Sequence, residues 1–504
     1  MKKERYYLSL DLGTQGTKAA IINQRGTVLQ SQFTANCFFE SESGEISISG
    51  ENLRKGVRDA TVELLKKTEV SSKEIQAVSV VGMMAGIIGI DQDWEAVTPY
   101  DTGLDKRCET AILEMQTMGE SEVIRLSGCP IIVAQGAKMY WWKTRRPAEF
   151  AKVKKFVPVS TYICGCMAGL KAEEAYIDYT QIHLTCFADI EHEQWSDELL
   201  DIFDFPKEKL PRIVAPFDII GHVNKEWAEG TGLEEGTPIL AGCGDTAASS
   251  LGAGLVRENM ILDVAGTASV VSACVKEYKP DTEKRILIYP KSVIPGLWTP
   301  FGFVLGGEML SWYYKQVGGD KEYTFEELAR EAEQADSRDL FFLPYFAGRI
   351  CPSNPSFSGH WEGLKFFHGK AHLFKSIMES ISYEYRLYLE RIKELFPSME
   401  MKEMITSAGG ARSESFIRIK ADVLQMPVIS LQQKDTSHIA AALIAGYGLH
   451  HLDDIAKAAA AICEELQTGS IKPDKEKAAY YDGQYEKYLQ IVDYMTELHK
   501  NIKL

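Results

Sequence analysis

At 504 residues the chain is too long for one hydrophobic core, which stops growing near roughly 250–300 residues, so two domains are expected. Its composition, 45% hydrophobic and 25% charged, is that of an ordinary globular enzyme. A formal net charge of -16 without a dense Lys/Arg run argues against nucleic acid or an anionic membrane as partner, and the longest near-apolar stretch, Ala77 to Ile90, has 14 residues where a membrane span needs about 20.

Tyr6 to Leu12 alternates apolar side chains and reads as a strand, followed by strands over Lys18 to Ile22 and Thr27 to Phe33. The first turn of this meander holds Asp11-Leu12-Gly13-Thr14-Gln15-Gly16-Thr17-Lys18. Glycines let backbone approach a phosphate chain, Thr14, Gln15 and Lys18 can reach its oxygens, and Asp11 can hold a magnesium ion through water. A plain polar β-turn is the competing reading. Glu51 to Lys67 has helical spacing, and Ile75 to Ile90 is strand-like with interrupting glycines. The ten cysteines are scattered without a Cys-x-x-Cys pair, which points to reduced thiols, and the start of the chain lacks an apolar signal stretch; the expected location is the cytoplasm.

Near the middle, Gly242-Cys243-Gly244-Asp245-Thr246 precedes a small-residue helix. Asp245 there is either an ordinary N-cap or a general base projecting from its loop. A second meander follows, with strands over Met260 to Val264 and Ala268 to Val275 joined through Ala265-Gly266-Thr267. His372 to Phe396 is a long amphipathic helix; Thr406-Ser407-Ala408-Gly409-Gly410-Ala411-Arg412-Ser413 links a strand to the helix Ser415 to Leu424; Ser437 to Tyr447 is a small-residue helix. Two halves, each opening with a hairpin that carries a small polar loop, predict a duplicated mixed-sheet α/β fold with domains over residues 1–250 and 251–504. P-loop, dinucleotide, nucleophile-elbow and zinc-helix patterns are not found.

Together these elements resemble the FGGY family of carbohydrate kinases, of the hexokinase/actin/heat-shock-chaperone ATPase superfamily. The most specific stretch is Gly359-His360-Trp361-Glu362-Gly363-Leu364, then seven residues, then His372-Leu373-Phe374-Lys375-Ser376-Ile377-Met378-Glu379, which is similar to the family's second signature. Lys138-Met139-Tyr140-Trp141-Trp142 resembles the core of the first, with Gln135 departing from it, and Ala421-Asp422-Val423-Leu424 resembles the helix after the adenine loop.

The resemblance implies two ribonuclease-H-like (actin-like ATPase) domains with a catalytic cleft between them, and ATP and Mg²⁺ as cofactors. It implies Asp245 as catalytic base that also faces the substrate and metal, Asp11 at the metal, and Gly13, Thr14, Gln15 and Lys18 as the first phosphate loop. Gly266 and Thr267 match the second phosphate loop, and Gly409, Gly410 and Ser413 the adenosine loop. The substrate motif Gly-Gln-Met-His-Gly of xylulokinase-like members becomes Gly82-Met83-Met84-Ala85-Gly86, and Trp-x-Asp-x-Arg becomes Gly103-Leu104-Asp105-Lys106-Arg107. Met84, Ala85, Asp105 and Arg107 thus match substrate positions, with an imidazole and an indole removed, so a bulkier, longer or differently oriented acceptor is expected. A ketose such as a pentulose is the first expectation. A polyol or sugar acid is the alternative within the same chemistry, and a non-catalytic ATP-binding regulator the alternative outside it. Family members are often dimers, so a homodimer is compatible with the resemblance.

Overall fold

The period-2 pattern at the start of the chain forms a meander: Tyr6–Leu12 runs antiparallel to Gly16–Asn23, which runs antiparallel to Val28–Ala35. These elements belong to a computed structural model that describes residues 4–318, 324–346, 348–352, 354, 357–432 and 435–501. On the other side of Tyr6–Leu12 the strand Ile75–Gly82 pairs in parallel, Pro238–Leu240 pairs in parallel with it, and Ile219–His222 closes the sheet antiparallel. The inner strands are buried along almost their whole length, as parallel strands covered on both faces must be. Helix Gly50–Lys67 starts at the Ser49 side chain, which accepts from the Asn52 amide, and buries Leu53, Val57, Ala60 and Leu64 against this sheet.

A second sheet repeats the plan. Its order is Phe301–Val304, Ser269–Ala273, Ile261–Ala265, Met404–Ser407, Val428–Leu431, Gln467–Ile471, with the same antiparallel, antiparallel, parallel, parallel, antiparallel sequence of pairings. The duplicated mixed-sheet α/β fold expected from the two hairpins is therefore observed. The antiparallel edge strand precedes its partner in the first sheet and follows it in the second. Helices Lys370–Leu395 and Glu414–Leu424 pack on the second sheet, the former through Ile377, Ile381, Tyr385, Tyr388 and Ile392.

The chain divides into two compact units. One comprises Met1–Val256, Tyr289–Trp298 and Asp435–Ile462; the other comprises Arg257–Ile288, Thr299–Lys434 and Cys463–Leu504. The helix Thr436–Gly448, late in the chain, thus packs in the first unit. The second unit has a buried ion pair at its centre: Asp263, in its hairpin, pairs with Lys420 and accepts from the Tyr385 hydroxyl at 2.6 Å and the Thr406 hydroxyl at 2.8 Å. Among the described residues no helix is long and apolar enough to cross a membrane.

Candidate active site

Strand register aligns the first unit's polar loops. Leu12 pairs with Gly82 and Gly82 with Gly244, so three strands end in one row. The segments that follow, the turns at Gly13 and Met83 and the helix that starts at Asp245, leave from the carboxyl edge of the parallel strands, where open α/β sheets place their ligands. Asp245 is the first residue of helix Asp245–Gly252, and Gly244 occupies the N-cap, so the N-cap reading of Asp245 does not hold. Its carboxylate accepts from the Thr246 amide at 2.7 Å and the Thr246 hydroxyl at 3.3 Å. Burial pushes Asp245 up to about 6, against the pull of the Thr246 bonds. Asp11 is likewise raised to about 6, first by burial and then by the Asp245 charge, opposed by a hydrogen bond to Ser437 and by Lys18. A cation shared by the two acids would relieve the Asp245 charge that raises Asp11. Among the described residues no cluster of three or more His, Cys, Asp or Glu is poised to hold a metal. A pair of carboxylates nevertheless suits Mg²⁺, which keeps several waters and takes one or two carboxylates beside a phosphate.

The Gly13–Gly16 turn is closed by reciprocal backbone bonds of 3.0 and 3.3 Å, with Thr14 and Gln15 exposed at its tip. Asn36 holds it: its side-chain amide donates to the carbonyls of Gly13 and Thr14, and its backbone amide to Gln15. Lys18 stands beyond the turn, in strand Gly16–Asn23 and opposite Asp11, and pairs with Asp435. Burial lowers the Lys18 pKa, while the Asp11 charge works the other way. The loop before Asp245 is held from below. The Gly244 amide donates to the Thr180 hydroxyl at 3.2 Å, and Thr180 and Gln181 both bond the buried Asp178. Asn36, Asp178, Thr180 and Asp435 lie outside the motifs that the sequence singled out. Each acts through a loop distant in the chain, so no local pattern marks it.

Met84 packs over Gly244: a Cβ there would lie 2.5 Å from the Met84 Sδ. Ala85 adopts φ 65°, a left-handed conformation that turns the chain toward Gly103. A Cβ on Gly103 would meet only ordinary contacts, the nearest at 3.4 Å from the Met84 carbonyl oxygen, so the position leaves room for a larger side chain. Asp105 and Arg107 form one ionic knot. The Arg107 guanidinium bonds Asp105 at 2.8–3.0 Å and Asp101 at 2.6 Å, and its other amino group lies 3.3 Å from Glu45. It also lies over the Trp141 and Trp142 rings at 4.9 and 5.7 Å. Burial pushes Asp101 up to about 7, against the pull of Arg107 and Lys138. The Lys138 ammonium is spent on the Thr102 carbonyl.

In the second unit, Gly266 and Thr267 form the tip of the second hairpin. Helix Gly306–Tyr313 starts against them. The Glu308 amide donates to the Thr267 carbonyl at 3.0 Å, and a Cβ on Gly307 would lie 2.1 Å from the Gly266 carbonyl oxygen. Gly409 and Gly410 form a short turn whose close approach to Ala265 a side chain would block, since a Cβ on Gly410 would lie 2.5 Å from the Ala265 Cβ. Gly266, Thr267, Gly409 and Gly410 therefore meet at one end of the second sheet. Ser413 is buried, and its hydroxyl caps helix Glu414–Leu424 by accepting from the Phe416 amide at 3.4 Å.

Comparison with known proteins gives two family-model matches. Residues 6–252 match the N-terminal domain of the FGGY family of carbohydrate kinases, and residues 263–449 its C-terminal domain. A xylulose kinase of Bacillus subtilis (strain 168) is 22% identical over 503 residues, covering 99% of each chain. A gluconokinase of the same strain is 24% identical over 462 residues, covering 89% of this chain and 88% of the relative. Among solved structures, the gluconate kinase from Lactobacillus acidophilus superposes with a TM-score of 0.88 at 21% identity, covering 98% of both chains.

Proposed function

The chain belongs to the FGGY family of carbohydrate kinases and is a sugar kinase with an actin-like ATPase fold, and we propose that it phosphorylates a terminal hydroxyl of a small neutral ketose, such as a pentulose, with Asp245 as general base. In this reading residues 1–250 carry the substrate site and first phosphate loop, and residues 251–504 the second phosphate loop and the adenosine site. Met84, Ala85, Asp105 and Arg107 line the acceptor; Gly13, Thr14, Gln15, Lys18, Gly266, Thr267, Gly409, Gly410 and Ser413 hold ATP. The observation that carries the reading is Asp245: a carboxylate raised to about 6, at the carboxyl edge of the sheet, beside a second acid whose strand partner is Lys18.

Asp245 accepts the proton of the acceptor hydroxyl as that oxygen attacks the γ-phosphorus in line, a contribution worth about 10²–10⁴-fold. The Thr246 bonds fix the carboxylate's direction, and Thr180, through the Gly244 amide, fixes the loop. Asp11 and Asp245 would hold Mg²⁺, which supplies charge neutralisation on the transferring group. Lys18 places a cation on the same side.

Acceptor charge separates ketose from sugar acid. Two cations of this region are engaged, Arg107 by Asp101, Asp105 and Glu45, and Lys138 by the Thr102 carbonyl. A carboxylated acceptor beside Met84 and Ala85 would meet the Asp245 carboxylate and an Arg107 already engaged by three acids, whereas a neutral sugar needs no free cation. The test is ADP release across ketopentoses, polyols and aldonates, with the product identified by mass spectrometry. A phosphorylated ketopentose is expected; aldonate phosphate as the sole product would overturn the acceptor assignment, and no product from any acceptor would overturn the reading.

A further inference from the structure

The helix Thr436–Gly448 meets three polar groups of the first hairpin within its opening turn. Asp435, its N-cap, pairs with Lys18; Ser437 bonds the Asp11 carboxylate; the His438 Nδ1 lies 2.8 Å from the Ser9 hydroxyl. Ser9 and Asp11 are two residues apart on one strand and so share a face. His438 is wholly buried, and among the described residues its Nε2 has no hydrogen-bond partner, an uncommon state for a buried ring nitrogen. The Asp435 Oδ2 stands 3.8 Å from that nitrogen, just outside hydrogen-bond range. Burial, reinforced by the Lys18 charge, keeps the imidazole neutral, with its pKa pushed down to about 3. In the tautomer in which the Ser9 hydroxyl donates to Nδ1, the ring proton sits on Nε2, which can then only donate.

Asp435 therefore stands between a cation it holds and a neutral donor it does not yet use. The Lys18 and Asp435 side chains are 38% and 30% exposed, so their pair can open without unpacking the core. We propose that Asp435 is a positioning residue that holds Lys18 until the triphosphate arrives, and then exchanges it for the His438 Nε2–H. The inference rests on the kinase reading, because the nucleotide phosphate is what draws Lys18 away. Only hydrogen bonds change, and every proton stays on its atom. The exchange leaves neither partner stranded: the carboxylate that loses an ammonium gains a donor, and the buried Nε2–H gains an acceptor.

Calorimetric titration with MgAMP-PNP, without acceptor, tests this. Asp435→Asn loosens the hold on Lys18, and binding should tighten by about two- to fivefold, the range of a partly exposed ion pair. His438→Phe removes the replacement donor and should weaken binding by a similar factor, while His438→Gln, which keeps an N–H, should stay near the parent. In a Lys18→Met background all three differences should vanish. A merely structural role would weaken binding in both Asp435→Asn and His438→Phe, lower their melting temperatures, and persist without Lys18; either that pattern or unchanged affinity in Asp435→Asn overturns the proposal. If His438→Phe does not fold, the ¹⁵N-bound Nε2 proton of the parent decides: it should move downfield when MgAMP-PNP binds, and an unmoved resonance overturns the exchange. A parent that binds MgAMP-PNP but phosphorylates no acceptor defeats the functional reading and leaves this result legible, whereas a parent that does not bind it defeats both.

Discussion

Asp245 is the residue whose environment says most about rate. A general base must be ionised to accept a proton, and burial has moved this carboxyl from its ordinary 3.8 to about 6. The value of kcat/KM should therefore fall as pH drops below about 6, whereas an exposed aspartate would hold rate down to about 4. Asp245→Asn should lower kcat by about 10²–10⁴-fold and weaken MgAMP-PNP binding far less, since Asp11 remains to hold Mg²⁺, and steady-state kinetics with calorimetry check both. The same shift has a consequence for stability. A carboxyl whose folded pKa lies above its unfolded value contributes stability that is present below about pH 4 and lost as pH rises through about 6. Asp245→Asn should accordingly gain in melting temperature over the parent at pH 8, and the gain should shrink toward pH 4.

At the scale of elements, two contacts between segments distant in the chain decide whether the second unit's loops are in place. Gly307 has ordinary helical backbone, yet a Cβ there would lie 2.1 Å from the Gly266 carbonyl oxygen. Gly307→Ala improves helix propensity by about 1 kcal/mol but must displace the Gly266–Thr267 turn, because the obstacle is backbone. A shift near 1 Å in a positioning loop costs on the order of 10²-fold in turnover, and kcat/KM for ATP should show it. Lys420 and Asp263 pin helix Glu414–Leu424 to the second hairpin, both side chains fully buried. Lys420→Met strands a carboxylate and should cost about 3–5 kcal/mol in urea unfolding, with Asp263→Asn added to it recovering part. What was legible in the sequence follows this division. Both hairpins, their glycine turns and the long helices are written in local period and turn chemistry, so their positions hold within a few residues. The third strand of the second meander, Phe301–Val304, follows a long irregular excursion after Ala273 and has no adjacent turn to announce it. Asp263 falls within the strand expected over Met260 to Val264, and nothing local marks it as the anchor of a buried ion pair with Lys420. Lys18 reads as a candidate phosphate ligand from its place after the glycine turn, but its partner Asp435 carries no such mark, since nothing local links residues more than four hundred positions apart.

At the scale of the whole molecule the net charge of -16 becomes an experimental handle. MgATP carries net negative charge, so it approaches against the protein's field, and that repulsion is long-ranged only while it is unscreened. Between 0.01 M and 0.15 M ionic strength the Debye length falls from about 30 Å to about 8 Å. The kcat/KM for MgATP should therefore rise over that interval, because encounter is the step the field opposes. A neutral ketose has no such penalty, and kcat/KM for the acceptor, measured at saturating MgATP, should stay flat. A sugar acid would be repelled as the nucleotide is, and its kcat/KM would climb in parallel. The salt dependence of the two substrates thus reports the acceptor's charge independently of the product screen, and an acceptor profile that tracks the nucleotide's would place a carboxylate beside an Arg107 and a Lys138 that other groups already engage.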